Sequence, residues 1–178
     1  MIDQKLLAQI DAIEPATFAG QAFRHIAADR HPLSGTGART HGGRWNPADS
    51  FSTLYLALEP ETTVREFYRL AKRQGRAPED FLPRRMYTYD VSLAAVLDLR
   101  GASARANVQL SDRDLRADDA TKCQQIGESV RYLGLEGILA PPATGEGTVL
   151  AVFFDSMRAD SQIHDLDYEP WTAAPRGS

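Results

Sequence analysis

Apolar positions recur along this chain in short runs, and their period changes from one run to the next. Leu6, Leu7, Ile10 and Ile13 have helical spacing and Pro15 ends the run, which predicts a helix over 3–13. Residues 17–26 alternate loosely and read as a strand with Phe23-Arg24 near its end. Residues 54–58 form a short apolar strand. Pro60 suits a first helical position; Val64, Phe67, Leu70 and Ala71 then share a face, predicting a helix over 60–74 stopped at Gly75. From 85 to 93, Tyr87, Tyr89 and Val91 alternate with Met86, Thr88 and Asp90, the period of a strand, and 96–99 is a further short apolar piece. Cys123, Ile126, Val130 and Leu133 make a helical stripe over 121–133, with Gly134 placed to cap it. Residues 137–140 and 148–154 are predicted strands, joined by the Pro141–Gly147 loop.

Between these runs the chain is irregular. Residues 29–52 scatter Gly, Pro, Ser and His without a period and predict a long loop, a feature that in compact domains usually carries function. Residues 107–119 are polar, with Ser111 a candidate N-cap for a short helix. From Pro170 onward the residues are small and polar and predict a loose end, so a single domain over 1–170 with a flexible tail over 171–178 is expected. The final Gly177-Ser178 has the look of a cloning remnant. Strands and helices do not alternate regularly, which favours α+β over a doubly wound sheet, and no internal repeat is visible.

With 178 residues, 43% hydrophobic and 25% charged, the chain reads as one soluble domain. Its net charge of −4 argues against direct nucleic-acid binding and leaves room for a local basic cleft at most. No run approaches the roughly 18 apolar residues of a membrane span, and no basic region followed by an apolar run marks a signal peptide, so a cytoplasmic protein is expected. The single Cys123 fits a reducing compartment and reads as a buried small hydrophobe.

The chemistry concentrates in His41-Gly42-Gly43-Arg44-Trp45-Asn46-Pro47 and the two dozen residues C-terminal to it. Two glycines let the backbone bend and approach a ligand. Arg44 is a planar fork suited to a phosphate pair. Tyr55 comes 11 positions later and Glu66 another 11. Arg24, a charge at the end of an apolar strand, needs a partner if it points inward. Tyr55 suits a strand core, or its ring could stack on a ligand if its hydroxyl finds a partner. Glu66 lies beside the apolar stripe of its helix, and Glu146 in the Gly145–Gly147 loop is a second candidate carboxylate. His25, His31 and His41 lack compact ligand spacing, so no metal site is expected. Gly35-Thr36-Gly37-Ala38 lacks the Lys-Ser/Thr of a phosphate loop.

Together these residues resemble the RES-domain toxins of bacterial toxin–antitoxin modules. The resemblance rests on Phe23-Arg24, Gly42-Gly43-Arg44-Trp45-Asn46, Tyr55-Leu56-Ala57 and Glu66, supported by Val96-Leu97-Asp98-Leu99 and Thr148–Phe153, and spans roughly 17–155. Family members usually carry a serine after a proline ahead of the last core strand; here Ala140-Pro141-Pro142-Ala143-Thr144 offers Thr144 instead.

The resemblance implies an ADP-ribosyltransferase-like split mixed sheet with flanking helices around an NAD+ cleft. It implies NAD+ as substrate, no cofactor, and an Xre-like antitoxin that covers the active site. Arg44, Tyr55 and Glu66 would be catalytic, and Arg24, Gly43, Arg44, Tyr55 and Thr144 would bind the dinucleotide. In that scheme Arg24 and Arg44 clamp the phosphates, Tyr55 stacks near the nicotinamide, and Glu66 places negative charge beside the developing ribosyl cation. The leading expectation is a toxin that transfers ADP-ribose to a cellular protein. The alternatives are a hydrolase or phosphorylase that depletes NAD+, and an inactive module that only binds its antitoxin.

Overall fold

The computed structural model describes residues 2–177; Met1 and Ser178, the latter half of the expected cloning remnant, lie outside the described residues. Among the described residues six strands and six α-helices succeed one another in the order α1 (Gln4–Asp11), β1 (Ala16–Ala27), α2 (Thr36–His41), β2 (Thr53–Ala57), α3 (Pro60–Arg73), β3 (Arg84–Asp98), α4 (Ala102–Asn107), α5 (Asp112–Arg116), α6 (Thr121–Tyr132), β4 (Gly137–Ala140), β5 (Val149–Phe153) and β6 (Gln162–Trp171). The expected α+β class holds. The sheet runs β1-β2-β5-β4-β3-β6, and β1 also pairs along β3.

β3 organises this sheet. Its 84–92 stretch lies between β1 and β6, both antiparallel, and its last residues turn to a parallel pairing with β4 at Val96, Leu97 and Asp98. The other half is the antiparallel set β2-β5-β4. The two halves meet again at one bridge, Phe23 with Ala57. A split sheet results, nearly closed on itself, and the split lies where β1 and β2 diverge.

Alternation along the strands sorts the core into two layers. Tyr87, Tyr89, Val91, Leu54, Leu56, Leu139, Leu150 and Val152 pack inside the curve of the sheet. Leu97, Ile138, Ala140, Ala151 and Phe153 face the other way, onto Ile10, Leu115, Cys123, Ile126 and Val130 from the helices. β4 and β5 are covered on both faces, so their residues are apolar in unbroken runs.

Glu136 stands where β3 changes partner. It is fully buried, and its Oε2 accepts from the N–H groups of Ala94 (2.7 Å) and Ala95 (2.8 Å), while Oε1 accepts from Arg158 (2.8 Å). Those first two N–H groups lie beside the irregularity opposite Ala16/Phe18, and the carboxylate takes over a role that a regular ladder would fill.

Several expected boundaries shift. The separate pieces 85–93 and 96–99 are one strand, because the chain curves from one half of the sheet to the other without breaking. Gly35–His41 is not loop but opens into α2. The buried face of α3 is Thr62, Thr63, Phe67 and Ala71; Val64 and Leu70 are half-buried. Residues 162–171, which show no clear side-chain period, form an edge strand. They are mostly exposed, so alternation is weak, and β3 supplies the order through main-chain bonds. Pro170 and Trp171 therefore do not belong to a loose end: Trp171 is buried, stacks on His25 (5.7 Å between centroids) and meets Phe67 edge-on. No helix among the described residues is long and apolar enough to cross a membrane.

Candidate functional site

A cavity of about 620 Å³ opens at the split, between the end of β1, the 42–45 turn, β2, α3 and the segment linking α5 to α6. Its floor and walls include Arg24, Gly43, Arg44, Tyr55 and Glu66, so residues far apart in sequence meet as expected.

The 42–46 turn is built by local chemistry. Gly42 ends α2 with its N–H on Ala38 O and φ of 74°, a region that favours glycine. Asn46 is fully buried and donates through Nδ2 to Ala38 O (2.7 Å) and Pro47 O (3.2 Å). Its Oδ1 accepts from the Tyr55 hydroxyl at 2.6 Å, and that hydroxyl in turn accepts from the Trp45 N–H at 2.9 Å. Gln124 Nε2 donates to Gly43 O (3.0 Å), tying the turn to α6. A Cβ on Gly43 would lie 2.5 Å from Tyr55 Oη, so glycine is needed here for close approach.

Tyr55 therefore has its hydroxyl engaged as a clamp, while its ring lines the cavity. Burial raises its pKa well above the usual phenol range, which keeps it a neutral donor.

Arg44 is held by carbonyls rather than by acids. Nη1 donates to Ala117 O (2.7 Å) and Asp114 O (3.4 Å) at the end of α5. Arg24 donates to Pro32 O (3.3 Å), which also accepts from Tyr89 Oη (2.7 Å). Neither arginine forms an ion pair among the described residues. Arg24's pKa is pulled down by burial, against which Tyr89 works. Carbonyl anchoring fixes these guanidiniums without tying them into an ion pair, an arrangement that suits an anionic ligand.

Glu66 comes from the second turn of α3. Pro60 starts that helix, and Glu59 before it accepts from Thr148 N–H (2.9 Å) and Thr62 Oγ1 (2.9 Å), tying the helix start to the residue that follows the 141–147 loop. Burial raises the Glu66 pKa; Arg69, Arg44 and the Thr144 backbone pull the other way. A half-buried carboxylate among cations, in a cleft, is the pattern of a functional acid.

Part of the lining is not evident from sequence. Arg69 and Arg73 lie one and two turns beyond Glu66, on the same side of α3, and both line the cavity. Their positions, i+3 and i+7 from Glu66, are the one signal the chain offers for them. Asp118 faces Arg69 at 3.8 Å. Thr63 lines the cavity too; its hydroxyl and Trp45 Nε1 are buried without partners among the described residues. The local basic cleft that a −4 chain allows is present: Arg24, Arg44, Arg69 and Arg73 surround one space.

Two candidates fall outside it. Thr144 follows Pro141, Pro142 and Ala143, which do line the cavity, but itself lines a neighbouring hollow. Glu146 is exposed and faces Arg65 at 3.9 Å, away from the site. Cys123 is buried, as expected. His25 and His41 reach the cavity, whereas His31 accepts from Leu33 N–H. Among the described residues no cluster of His, Cys, Asp and Glu could hold a metal ion.

Comparison with known proteins finds relatives of the same fold. Residues 21–173 match the RES domain. The NAD(+) phosphorylase MbcT of Mycobacterium tuberculosis and that of Mycobacterium bovis are each 36% identical over 154 residues, covering 85% of this chain and 83% of theirs. The crystal structure of the M. tuberculosis MbcT–MbcA toxin–antitoxin complex contains a chain of the same fold, with a TM-score of 0.90 and 33% identity over 97% of this chain and 94% of that one. The match reaches past residue 155 to take in β6, whose Trp171 packs behind the cavity against His25. This chain belongs to the RES domain family.

Proposed function

We propose that this protein is the toxin of a toxin–antitoxin pair and that it breaks NAD+ by phosphorolysis. The observation that carries this reading is the cationic wall of one cavity, where Arg24 and Arg44 are held by carbonyls without an ion-pair partner among the described residues and Arg69 and Arg73 line the same space. Such a wall suits the pyrophosphate of NAD+ and an inorganic phosphate acceptor alike. The named activity of the MbcT relatives supports the same choice. Transfer of ADP-ribose to a protein, the leading expectation from sequence, is therefore the weaker reading.

In the proposed reaction the bond from C1′ of the ribose to the nicotinamide nitrogen breaks, and its electron pair leaves with the now neutral nicotinamide. A phosphate oxygen bonds to the same carbon and yields ADP-ribose 1″-phosphate. Arg24 and Arg44 hold the pyrophosphate, each pre-positioned by carbonyls so that little reorganisation is needed. The Tyr55 ring forms the surface beside the base, its hydroxyl tied back to the turn. The Glu66 carboxylate offsets positive charge at the ribose as nicotinamide departs. No bound cofactor or metal enters this scheme. A partner antitoxin, expected to be Xre-like, would silence the enzyme by covering the arginine-lined mouth; the MbcT–MbcA complex supports such a partner.

The test is incubation with NAD+ labelled on its adenine side, with and without phosphate and with cell lysate. Labelled ADP-ribose 1″-phosphate, formed in proportion to phosphate, is the expected result. Label on a protein band would restore the transferase reading, and intact NAD+ throughout would overturn both.

A further inference from the structure

On the flank of α3, next to the cavity, lies a second hollow lined by Val64, Arg65, Tyr68, Arg69, Lys72 and Thr144, among others. Arg65, Arg69 and Lys72 succeed one another at i, i+4 and i+7, a single stripe of like charge on one helix. Such a stripe repels itself unless something negative lies against it. The acids nearby do this poorly. Glu146 stands 3.9 Å from Arg65 and is 82% exposed, and Asp118 stands 3.8 Å from Arg69 and is 89% exposed. Lys72 has no ion pair among the described residues. Arg65 also spends one nitrogen, Nη2, on Thr62 Oγ1 and Glu146 O.

Two polar atoms in the wall are out of balance. Thr144 Oγ1 and Arg65 Nε are both buried and have no hydrogen-bond partner among the described residues. Buried polar atoms without partners are uncommon, and these two, one of them on the Arg65 cation itself, point to a missing acceptor. Arg69 lines both this hollow and the main cavity, so an anion gathered here already lies against a side chain of the reaction site.

We infer that this hollow is a phosphate subsite: it holds inorganic phosphate beside Arg69, the side chain it shares with the main cavity. The inference rests on the phosphorolytic reading above. The stripe of Arg65, Arg69 and Lys72 supplies charge, and Thr144 Oγ1 and Arg65 Nε are the unpartnered polar atoms beside it.

Two measurements test it on the whole protein. The first is phosphorus NMR line broadening of inorganic phosphate on titration with protein, in the presence of saturating ADP-ribose to fill the main cavity. Phosphate binding should persist with ADP-ribose bound and weaken about tenfold in Lys72→Ala and in Thr144→Val. Displacement of phosphate by ADP-ribose would mean that the hollow takes a phosphoryl group of the dinucleotide, and binding indifferent to both variants would mean no subsite; either overturns the inference whatever the reaction proves to be. The second is steady-state kinetics, in which Lys72→Ala should raise KM for phosphate about tenfold and KM for NAD+ less than about twofold. Equal rises would overturn the subsite. Phosphate binding that depends on Lys72 in a protein that releases free ADP-ribose by using water would instead overturn the phosphorolytic reading and leave the anion site standing.

Discussion

The ring of Tyr55 lies directly against the backbone of Gly43, so close that a Cβ on residue 43 would sit 2.5 Å from Tyr55 Oη and 2.6 Å from the ring carbons. The contact explains a glycine, an aromatic and a buried asparagine with one structure. Tyr55 holds Asn46 and the Trp45 N–H, and that hold keeps Arg44 at the cavity. Gly43→Ala is expected to push the ring away and break this clamp. NAD+ turnover should fall by about tenfold or more, with the loss visible in both KM and kcat because the Arg44 position is lost with it. Unchanged kinetics would show that the turn can yield without cost.

Tyr55→Phe separates the ring from the hydroxyl. It leaves Asn46 Oδ1 and the Trp45 N–H without their partner, and each buried orphan costs about 1–3 kcal/mol. Thermal denaturation should show a lower Tm, while a reaction that needs only the ring should keep much of its rate in the surviving folded fraction. A variant as stable as the parent but inactive would give the hydroxyl a chemical role.

Glu66→Gln should act in opposite directions on activity and stability. Loss of the carboxylate charge is expected to cut turnover by about 10²–10³ with a smaller change in NAD+ affinity. Burial raises the Glu66 pKa, so the anion is less comfortable folded than unfolded, and at neutral pH it subtracts from stability. The neutral amide removes that penalty, so Tm should rise. The same direction of shift places the acid limb of the pH–rate profile above that of an ordinary glutamate. A lower Tm together with full turnover would contradict both roles.

His25 makes stability depend on pH from the other side. Its ring accepts from Arg84 Nε at 2.8 Å, and burial together with the charges of Arg84 and Arg24 lowers its pKa to about 3. An unfolded histidine titrates near about 6.5. Below that value the unfolded chain takes up a proton that the folded chain refuses, so stability is lost as pH falls from about 6.5 toward 3. The slope is at most about 1.4 kcal/mol for each pH unit. Denaturant unfolding of the parent and of His25→Gln, compared between neutral and mildly acidic pH, should show this loss in the parent and less of it in the variant. Parallel pH dependences would place the acid sensitivity elsewhere.

Glu136→Gln tests the joint between the two halves of the sheet. Its carboxylate accepts from three backbone N–H groups, and those bonds hold its pKa below the usual range in spite of burial. An amide turns one of these acceptors into a donor facing a donor. Destabilisation of about 2–4 kcal/mol is expected, measured by urea unfolding. Because a depressed carboxyl pKa stabilises above the unfolded value of about 4.3, the difference between parent and variant should shrink as pH falls through and below it.

Local chemistry fixes much of this protein along the chain itself. The helical stripe of 121–133, the alternation of Tyr87, Tyr89 and Val91, and the proline and glycine limits of 60–74 are short-range properties, and a helix, a strand and a helix form there, although the strand runs on through Asp98. The site's skeleton is legible in the same way, because Gly42-Gly43-Arg44, Tyr55 and Glu66 carry their chemistry in residue type and spacing. The rest depends on contacts between distant segments. β6 is ordered by main-chain bonds to β3, which no side-chain pattern records. The Tyr55 hydroxyl is spent on Asn46 only because β2 and the turn are brought side by side. Arg69 and Arg73 look like ordinary exposed helix residues until the split sheet places α3 across from Arg24 and Arg44. Side-chain period is a property of neighbours along the chain, whereas the pooling of like charges around one cavity is a property of the fold that closes on it.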